Sequence, residues 1–454
     1  MKTKLLISIQ LLLVTIAGTV AEAQPSPILE TYIETGLANN LALQQQNLDL
    51  QRSLEAVREA RSLFYPAVQF KATYTRSSGG RKIDIPVGDL LNPVYSTLNQ
   101  LTQTNLFPQI DNVSEQFLPD NFHETYLNIT YPLFNSDLKY NRQIKQHQVQ
   151  SQTAQKAAYE HELRYQITDA YLQYLKALEA EKIWVNSQKA LRELRRFNQS
   201  LVDNDMATRD VVATADYELS KVEHEIYSLQ SQQNTARAYF NFLLNRDLQE
   251  AVIVDTTMFQ QSVRAYDRTE MIQGALGNRH ELDALMAGQA AAETAVRLNE
   301  AKRILPDAYI GGQLGFQGFG YKFNGDQMYG LVQVGLNYTI FNGGQTKSKI
   351  QQAQIQSEKL RQQHNEVQQQ IALQVTQAWN ELENARNAWS TAREGQRAAT
   401  ESFRIVNNKY RANQALLVEF LDAENRVTTA QLQVLLAWSD VLVKEAALQK
   451  AAGQ

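Results

Sequence analysis

The two halves of the chain are versions of one unit, and this duplication limits the possible folds more than any other feature. "YPLFNSD" at 131–137 matches "YTIFNGG" at 338–344, an offset of 207, and Pro66 matches Pro306, an offset of 240. A loop longer by about 33 residues in the first half, between Pro66 and Tyr131, explains the change of offset. Self-similarity of this kind predicts two tandem repeats, at about 24–250 and 251–454.

Each repeat contains two segments of about ten residues in which apolar and polar side chains alternate. They lie at about 67–76 and 123–134 in the first repeat, and at about 307–317 and 329–341 in the second. Tilted transmembrane β-strands have this length and this pattern, with lipid on one face and water on the other. A soluble β-sandwich is the alternative, but it would show more than four strands.

A long segment without proline and with almost no glycine follows each strand pair, at about 138–203 and 345–411. At 1.5 Å per residue, a helix of this length extends about 100 Å. An apolar stripe with heptad spacing runs along both segments, which predicts coiled-coil helices. Its members are Ile371, Val375, Ala378, Leu382, Ala385, Trp389 and Ala392 in the second repeat, and Leu163, Ile167, Ala170, Tyr174 and Ala177 in the first.

Four strands cannot close a barrel, and an open sheet edge cannot lie in lipid, so several copies of the chain must pool their strands. Two copies give eight strands, whose lumen is largely filled by side chains. Three copies give twelve strands with room for water, which suits a polar lumen that contains glycine. The sequence therefore predicts a mainly α protein with a transmembrane β-barrel contribution, assembled as a trimer.

The first residues have the layout of a cleavable signal peptide at 1–23. Lys2 and Lys4 precede an apolar run, and Ala21 to Ala23 supplies small residues for cleavage. A membrane anchor is the alternative, but the run is too short to cross a hydrocarbon layer of about 30 Å. No other stretch approaches the roughly 18 apolar residues of a membrane helix, which excludes a helical inner-membrane protein.

Composition excludes several other classes of protein. Cysteine is absent, which removes disulfides, thiol catalysis and anchoring through a lipidated cysteine. The net charge is −4, and 42 − 47 = −5 after the signal peptide is removed, so no nucleic-acid partner is expected.

Three short motifs resemble phosphate-binding or zinc-protease motifs but lack the neighbouring residues or elements that those sites require. "GFQGFG" at 315–320 ends an alternating strand and no helix follows it, which favours a β-turn over a phosphate-binding loop. His161-Glu162 and His280-Glu281 lack the second histidine of a zinc-protease motif. We predict no catalytic, cofactor or metal site, and no enzyme activity.

Three motifs of the chain resemble the TolC-like outer-membrane factor family, and the resemblance covers nearly all of the mature sequence. "REARSLFYP" and "NEAKRILP" resemble its helix-to-strand junction, and "YPLFNSD" and "YTIFNGG" resemble its strand-to-helix junction. The most specific match is "KYRANQALLVEFLDAENRV" at 409–427, which resembles the turn at the family's periplasmic tip.

This resemblance implies an outer-membrane homotrimer with a twelve-stranded barrel and a periplasmic α-helical tunnel. It implies an exit duct of a tripartite efflux or type I secretion system, passively conducting substrates to the exterior. The implied partners are outer-membrane lipid, a periplasmic adaptor and an inner-membrane transporter of the RND or ABC type. The alternative is a periplasmic or extracellular coiled-coil scaffold, which leaves the four lipid-length strands unexplained.

The resemblance also places a pore gate at the tip. Glu419 and Asp422 are three residues apart on one helix, so their carboxylates share a face, and the family pattern turns that face toward the pore. We expect them to form a ring that narrows the tunnel in the trimer. Tyr410 is expected to help hold the ring shut by reaching the first-repeat tip at Arg209 and Asp210.

Three positions depart from the family pattern at the tip. Asn413 replaces the usual glycine, and we expect it to adopt the left-handed conformation of that turn. Asp205 occupies the same position in the first repeat. Ala415 stands where members of the family carry an arginine that binds the closed tip together, so a looser latch is expected.

Overall fold

The computed structural model describes residues 26–260 and 264–454, and the predicted signal peptide at 1–23 lies outside them. The strands are β1 (Ala67–Thr75), β2 (Lys82–Ile85), β3 (Val113–Gln116), β4 (Phe122–Phe134), β5 (Asp307–Phe319) and β6 (Met328–Asn337). The helices are α1 (Pro27–Asn39), α2 (Leu41–Ser62), α3 (Val87–Thr102), α4 (Ser136–Asp203), α5 (Asp210–Leu243), α6 (Arg268–Asn278), α7 (His280–Ile304), α8 (Gln345–Arg411) and α9 (Leu417–Ala451). A short 3-10 helix spans Thr256–Gln260.

None of the helices in the described ranges is both long and apolar enough to cross a membrane.

The chain folds into two compact units that do not follow the boundary between the repeats. The first unit contains the described residues up to Leu50 together with Gln152–Leu285 and Gln363–Gln454. The second contains Gln51–Ser151 and Met286–Gln362. Each unit therefore combines segments of both repeats.

A four-stranded antiparallel sheet lies in the second unit, in the order β1-β4-β5-β6. Its strands lie at the four alternating segments, and the register brings most of their apolar residues onto one face. β6 ends at Asn337, four residues before the predicted end at 341, and Gly343 and Gly344 with positive φ angles then turn the chain into α8. The apolar face carries Val68, Phe70, Leu127, Ile129, Tyr131, Ile310, Leu314, Val332, Val334 and Leu336.

The long connection between β1 and β4 contains structure of its own. β2 and β3 pair as a small antiparallel sheet, and α3 lies between them in the sequence. Pro93 lies inside α3, where it cannot donate the helical hydrogen bond to the backbone carbonyl four residues before it.

The core of the first unit is formed by the heptad stripes of the two long helices. Leu163 and Ile167 of α4, and Val375 and Leu382 of α8, are completely or almost completely buried. Burial of one such side chain contributes about 1.5–3 kcal/mol. Helices α1, α5 and α9 complete the cluster with Leu29, Tyr32, Ile33, Phe240, Leu243, Trp438, Val441, Leu442 and Leu448.

One buried asparagine fixes the junction between α1 and α2. The side-chain amide of Asn40 donates to the carbonyl of Leu243 over 2.8 Å, and its side-chain oxygen accepts from the backbone N–H groups of Ala42 and Leu43. The start of α2 is thereby capped and tied to the end of α5.

Candidate channel gate at the helix turns

The turn from α4 to α5 closes with a Schellman motif. The N–H of Met206 donates to the carbonyl of Leu201 over 2.8 Å, and the N–H of Asp205 donates to Val202 over 3.1 Å. Asp205 has a φ of 59°. This left-handed residue reverses the chain and satisfies two carbonyls at the end of α4.

The turn from α8 to α9 has the same hydrogen bonds. The N–H of Gln414 donates to the carbonyl of Lys409 over 2.8 Å, and the N–H of Asn413 donates to Tyr410 over 3.0 Å. The φ of Asn413 is 55°, so the left-handed conformation expected of it is confirmed. The long helices of both repeats therefore end in a Schellman motif, with aspartate at the left-handed position in the first repeat and asparagine in the second.

Tyr410 lies in an aromatic cluster beside these turns. Its ring centroid is 5.2 Å from that of Phe420 and 5.8 Å from that of Phe197, and Phe403 packs on Phe420. The side chain is buried, and this burial raises the pKa of the Tyr410 hydroxyl, although the hydrogen bond with Asn198 opposes the shift. The hydroxyl is therefore a neutral donor at physiological pH.

The hydrogen bond of Tyr410 goes to Asn198, a residue that the sequence analysis missed. The hydroxyl donates to the side-chain oxygen of Asn198 over 2.7 Å, and the amide of Asn198 donates to the carbonyl of Val211 over 3.1 Å. Asn198 is completely buried. It continues the apolar spacing of Leu191 and Leu194, and a polar residue at a heptad core position is the signal that could have revealed it.

The other two residues expected at this latch lie on the surface. Arg209 and Asp210 are exposed where α5 begins, and Asp210 accepts a hydrogen bond from the hydroxyl of Thr208. Tyr410 reaches the start of α5 through Asn198 and the backbone of Val211. The connection between the two repeats at the tip is thus made by a buried amide.

Glu419 and Asp422 are both exposed on the first turns of α9, three residues apart. The carboxylate of Glu419 accepts from the backbone N–H of Leu416 over 2.8 Å and so caps the helix. Asp422 forms a salt bridge of 2.9 Å with Arg426 on the next turn. The tip thus presents two exposed carboxylates on one side of α9, and that of Asp422 is ion-paired.

A buried glutamate, Glu424, lies two residues after Asp422 on α9, and it too was missed. Glu424 accepts hydrogen bonds from the hydroxyls of Ser187 on α4 and Thr428 on α9. Burial raises the pKa of the Glu424 carboxyl, the two hydrogen bonds lower it, and the negative charge of Glu218 raises it further; the direction of the sum is upward. Sequence reasoning had no signal for this residue, because glutamate on a helix usually faces water.

A groove of about 460 Å³ opens beside the aromatic cluster, between α4 and α8. Phe197, Phe403 and Phe420 supply apolar lining, and Glu193 and Arg411, whose charged groups are 3.7 Å apart, stand at its rim. Within the described ranges, no cluster of three or more His, Cys, Asp or Glu residues is arranged to hold a metal ion. The groove therefore combines an apolar surface with charged groups at its rim.

The sequence matches a known family in its second half. Residues 271–454 match the family model described as outer membrane efflux protein. A stretch of 130 residues is 30% identical to the outer membrane efflux protein BepC of Brucella suis biovar 1 (strain 1330). It spans 29% of this chain and only 28% of BepC.

Solved structures match over nearly the whole chain. The outer membrane protein VceC of Vibrio cholerae gives a TM-score of 0.72 at 16% identity, covering 94% of this chain and 96% of VceC. The open state of the MtrE outer membrane channel of Neisseria gonorrhoeae gives 0.73 at 17% identity, covering 94% and 89%. At these identities the likeness shows the fold.

The predicted fold class and the predicted outer-membrane location are confirmed by these matches, and the relatives are channels rather than enzymes. The resemblance stated from the sequence is confirmed as well: the chain has the TolC-like fold of the outer-membrane channels, and from residue 271 to 454 it carries an outer membrane efflux protein domain.

Proposed function

We propose that this protein is the outer-membrane exit duct of a tripartite efflux or type I secretion system. It conducts substrates passively to the exterior after an inner-membrane transporter of the RND or ABC type has delivered them. A periplasmic adaptor joins the transporter to the helical part, which lies in the periplasm. The family match supports the efflux class, and the chemistry of the sheet supports the passage through the membrane.

The observation that carries the proposal is the exposed apolar face of the four-stranded sheet. Val332, Val334 and Leu336 of β6 are each about 70% exposed, and Val68 and Phe70 of β1 are similarly exposed. A water-soluble protein rarely leaves such a continuous apolar surface uncovered. The opposite face carries Gln69, Asn128, Gln313 and Gln333, with Leu331 as an apolar residue among them. Both faces are accommodated if the apolar face contacts lipid and the polar face contacts water.

The sheet also ends in two open edges, β1 and β6. Unpaired backbone groups cannot remain in a bilayer, so β1 of one copy must pair with β6 of the next. Three copies give a closed barrel of twelve strands with a lumen wide enough for water. Closure of the edges together with a water-filled lumen favours a homotrimer.

The gate is proposed at the turns of the helical hairpins. Glu419 and Asp422 of three protomers would place six carboxylates around the inner end of the tunnel, a charge that favours cations. The helix cap of Glu419 and the salt bridge of Asp422 fix where these groups stand. Tyr410 and Asn198 hold each tip shut, with the starts of α5 and α9, near Arg209, Asp210 and Leu416, as the parts that move.

The groove beside Tyr410 is the proposed contact for the adaptor. Its apolar lining and charged rim suit an amphipathic helical hairpin. The scaffold alternative gives no use for the apolar sheet face, since a coiled-coil scaffold in water would cover that face or lack it.

The test compares two neighbouring positions on β6. Val334→Arg puts a charge on the face assigned to lipid, where a mid-membrane arginine costs about 2–4 kcal/mol, whereas Gln333→Arg puts the same charge on the face assigned to water. We expect native mass measurement on detergent-extracted outer membrane to give trimers for the wild type and Gln333→Arg, and at least tenfold fewer for Val334→Arg.

Planar-bilayer recording completes the test. The wild type should conduct, and Gln333→Arg should conduct with a shift toward anions. Equal tolerance of both arginines, with the protein in the soluble periplasmic fraction, would favour the scaffold and remove the duct.

A further inference from the structure

Helix α3 turns its polar face toward its own chain. The side chain of Asn92 exchanges two hydrogen bonds with the backbone of Ile110, both of 2.9 Å. Asn99 does the same with Phe107, over 2.7 and 3.0 Å. Gly88 lies on the same side, and a Cβ there would come within 2.4 Å of the carbonyl oxygen of Ile110. The polar face is therefore satisfied within the segment.

The opposite face of α3 is apolar and uncovered. Leu90 is 68% exposed, Val94 52% and Leu101 76%, and Leu106 just beyond the helix is 77% exposed. At 100° per residue, Leu90, Val94 and Leu101 lie within about 40° of one another around the helix. A helix that packed on the protein's own core would bury its apolar face and expose its polar face. The apolar stripe of α3 is therefore available to a partner outside the segment.

The charge of the segment argues against a membrane surface as that partner. From Ile83 to Asn121 there is no lysine or arginine, and there are five acidic residues. Helices that lie on membranes carry lysine and arginine around their apolar face to meet anionic lipid. Anionic lipid would repel the segment's net charge of −5. None of the five acids lies on the stripe of Leu90, Val94 and Leu101, so this uncharged stripe can pack against an identical one.

The base of the segment stands at the sheet edge. Arg76 forms a 3.0 Å salt bridge with Asp120, and the backbone N–H of Ser77 donates to the same carboxylate over 3.0 Å. The segment thus leaves directly from the end of β1, which is the edge strand that must meet the next copy of the chain.

We propose that the apolar face of α3 packs against the same helix of the neighbouring copies and closes the outer mouth of the duct. This inference rests on the proposed trimer and adds to it a second closure, made by apolar contacts and distinct from the charged gate. The three helices bury a stripe that each copy alone leaves in water.

The chain contains no cysteine, so single cysteines report contacts without background. We would introduce Leu90→Cys and Leu101→Cys separately in the full-length protein. The matched control is Gln100→Cys, which is exposed but about 100° around the helix from Leu101. Copper-phenanthroline oxidation in outer membranes should link at least one of the two leucine positions into dimers, at least fivefold more than the control. A disulfide requires Cα atoms within about 7 Å, which only facing helices reach.

Native mass measurement on every variant separates the outcomes. Trimers with no more cross-linking at either leucine position than at Gln100 would overturn the closure and leave the duct standing. Protection of Leu101→Cys from a hydrophilic maleimide without cross-linking would mean that lipid covers the helix, which also overturns the closure. If the wild type gives no trimer, the proposed function itself fails.

Discussion

The hydrogen bond between Tyr410 and Asn198 joins the two repeats at the tip, and Tyr410→Phe removes it with the least change of shape. The substitution leaves the side-chain oxygen of Asn198 without its donor, and Asn198 is 0% exposed, so water cannot replace the hydroxyl. An unsatisfied buried acceptor costs about 1–3 kcal/mol. The opening equilibrium of the tip should therefore rise by about 5- to 150-fold.

Hydrogen exchange followed by mass spectrometry measures that equilibrium segment by segment. Peptides covering 198–215 contain both Asn198 and the first turns of α5, and their slow amides should exchange faster by the same factor. Tyr227→Phe is the matched control, since it removes the same hydroxyl from a side chain that is 70% exposed. It should leave exchange unchanged.

The contrast between the two variants decides the matter. If Tyr410→Phe and Tyr227→Phe exchange alike in these peptides, the hydrogen bond does not hold the tip and the latch is elsewhere. If Tyr410→Phe speeds exchange throughout the first unit, the residue supports the whole core, and the assignment to the tip is wrong.

Four further outcomes are expected. Because burial raises the pKa of Glu424, the wild type loses stability as the pH rises through that pKa. Glu424→Gln should therefore raise the melting temperature more at pH 8 than at pH 4.5, and equal gains at both pH values would contradict the raised pKa. Asn413→Val should cost about 1–2 kcal/mol in thermal unfolding because valine resists a positive φ, while Asn413→Gly should be near neutral. Glu419→Gln combined with Asp422→Asn keeps the hydrogen-bond acceptors but should lower cation selectivity and abolish block by a periplasmic trivalent cation in bilayers; unchanged block removes the gate. Proteinase K on intact cells should cleave within 76–121 first, and cleavage only after permeabilisation would reverse the topology.

Much of the fold was predictable because its periods are unmistakable. Alternation of apolar and polar residues over about ten positions predicts all four strands of the larger sheet. The heptad stripe predicts buried residues of α4 and α8, such as Ile167 and Leu382. Periodicity works here because each element has one apolar face that must be covered. The left-handed Asn413 was predictable for a local reason, namely the geometry of a helix end.

The remaining features depend on pairs of residues far apart in the sequence. Asn198 is 212 residues from Tyr410, and Ser187 is 237 residues from Glu424, so no local pattern connects them. The inverted faces of α3 escaped prediction for another reason. Its buried side is recognised only when Asn92 is seen to bond the backbone of Ile110.

The interleaving of the repeats has a consequence for how the protein is made. Leu29 and Tyr32 of α1 share a hydrophobic cluster with Trp438 and Leu448 of α9, about 400 residues later. A chain that emerges N-terminus first cannot finish this core until its last helix has emerged. Contacts between residues so far apart in the sequence make folding slow. The half-exported chain therefore exposes its apolar stripes and sheet face for the whole time of export, and it must be kept from aggregating until α9 arrives.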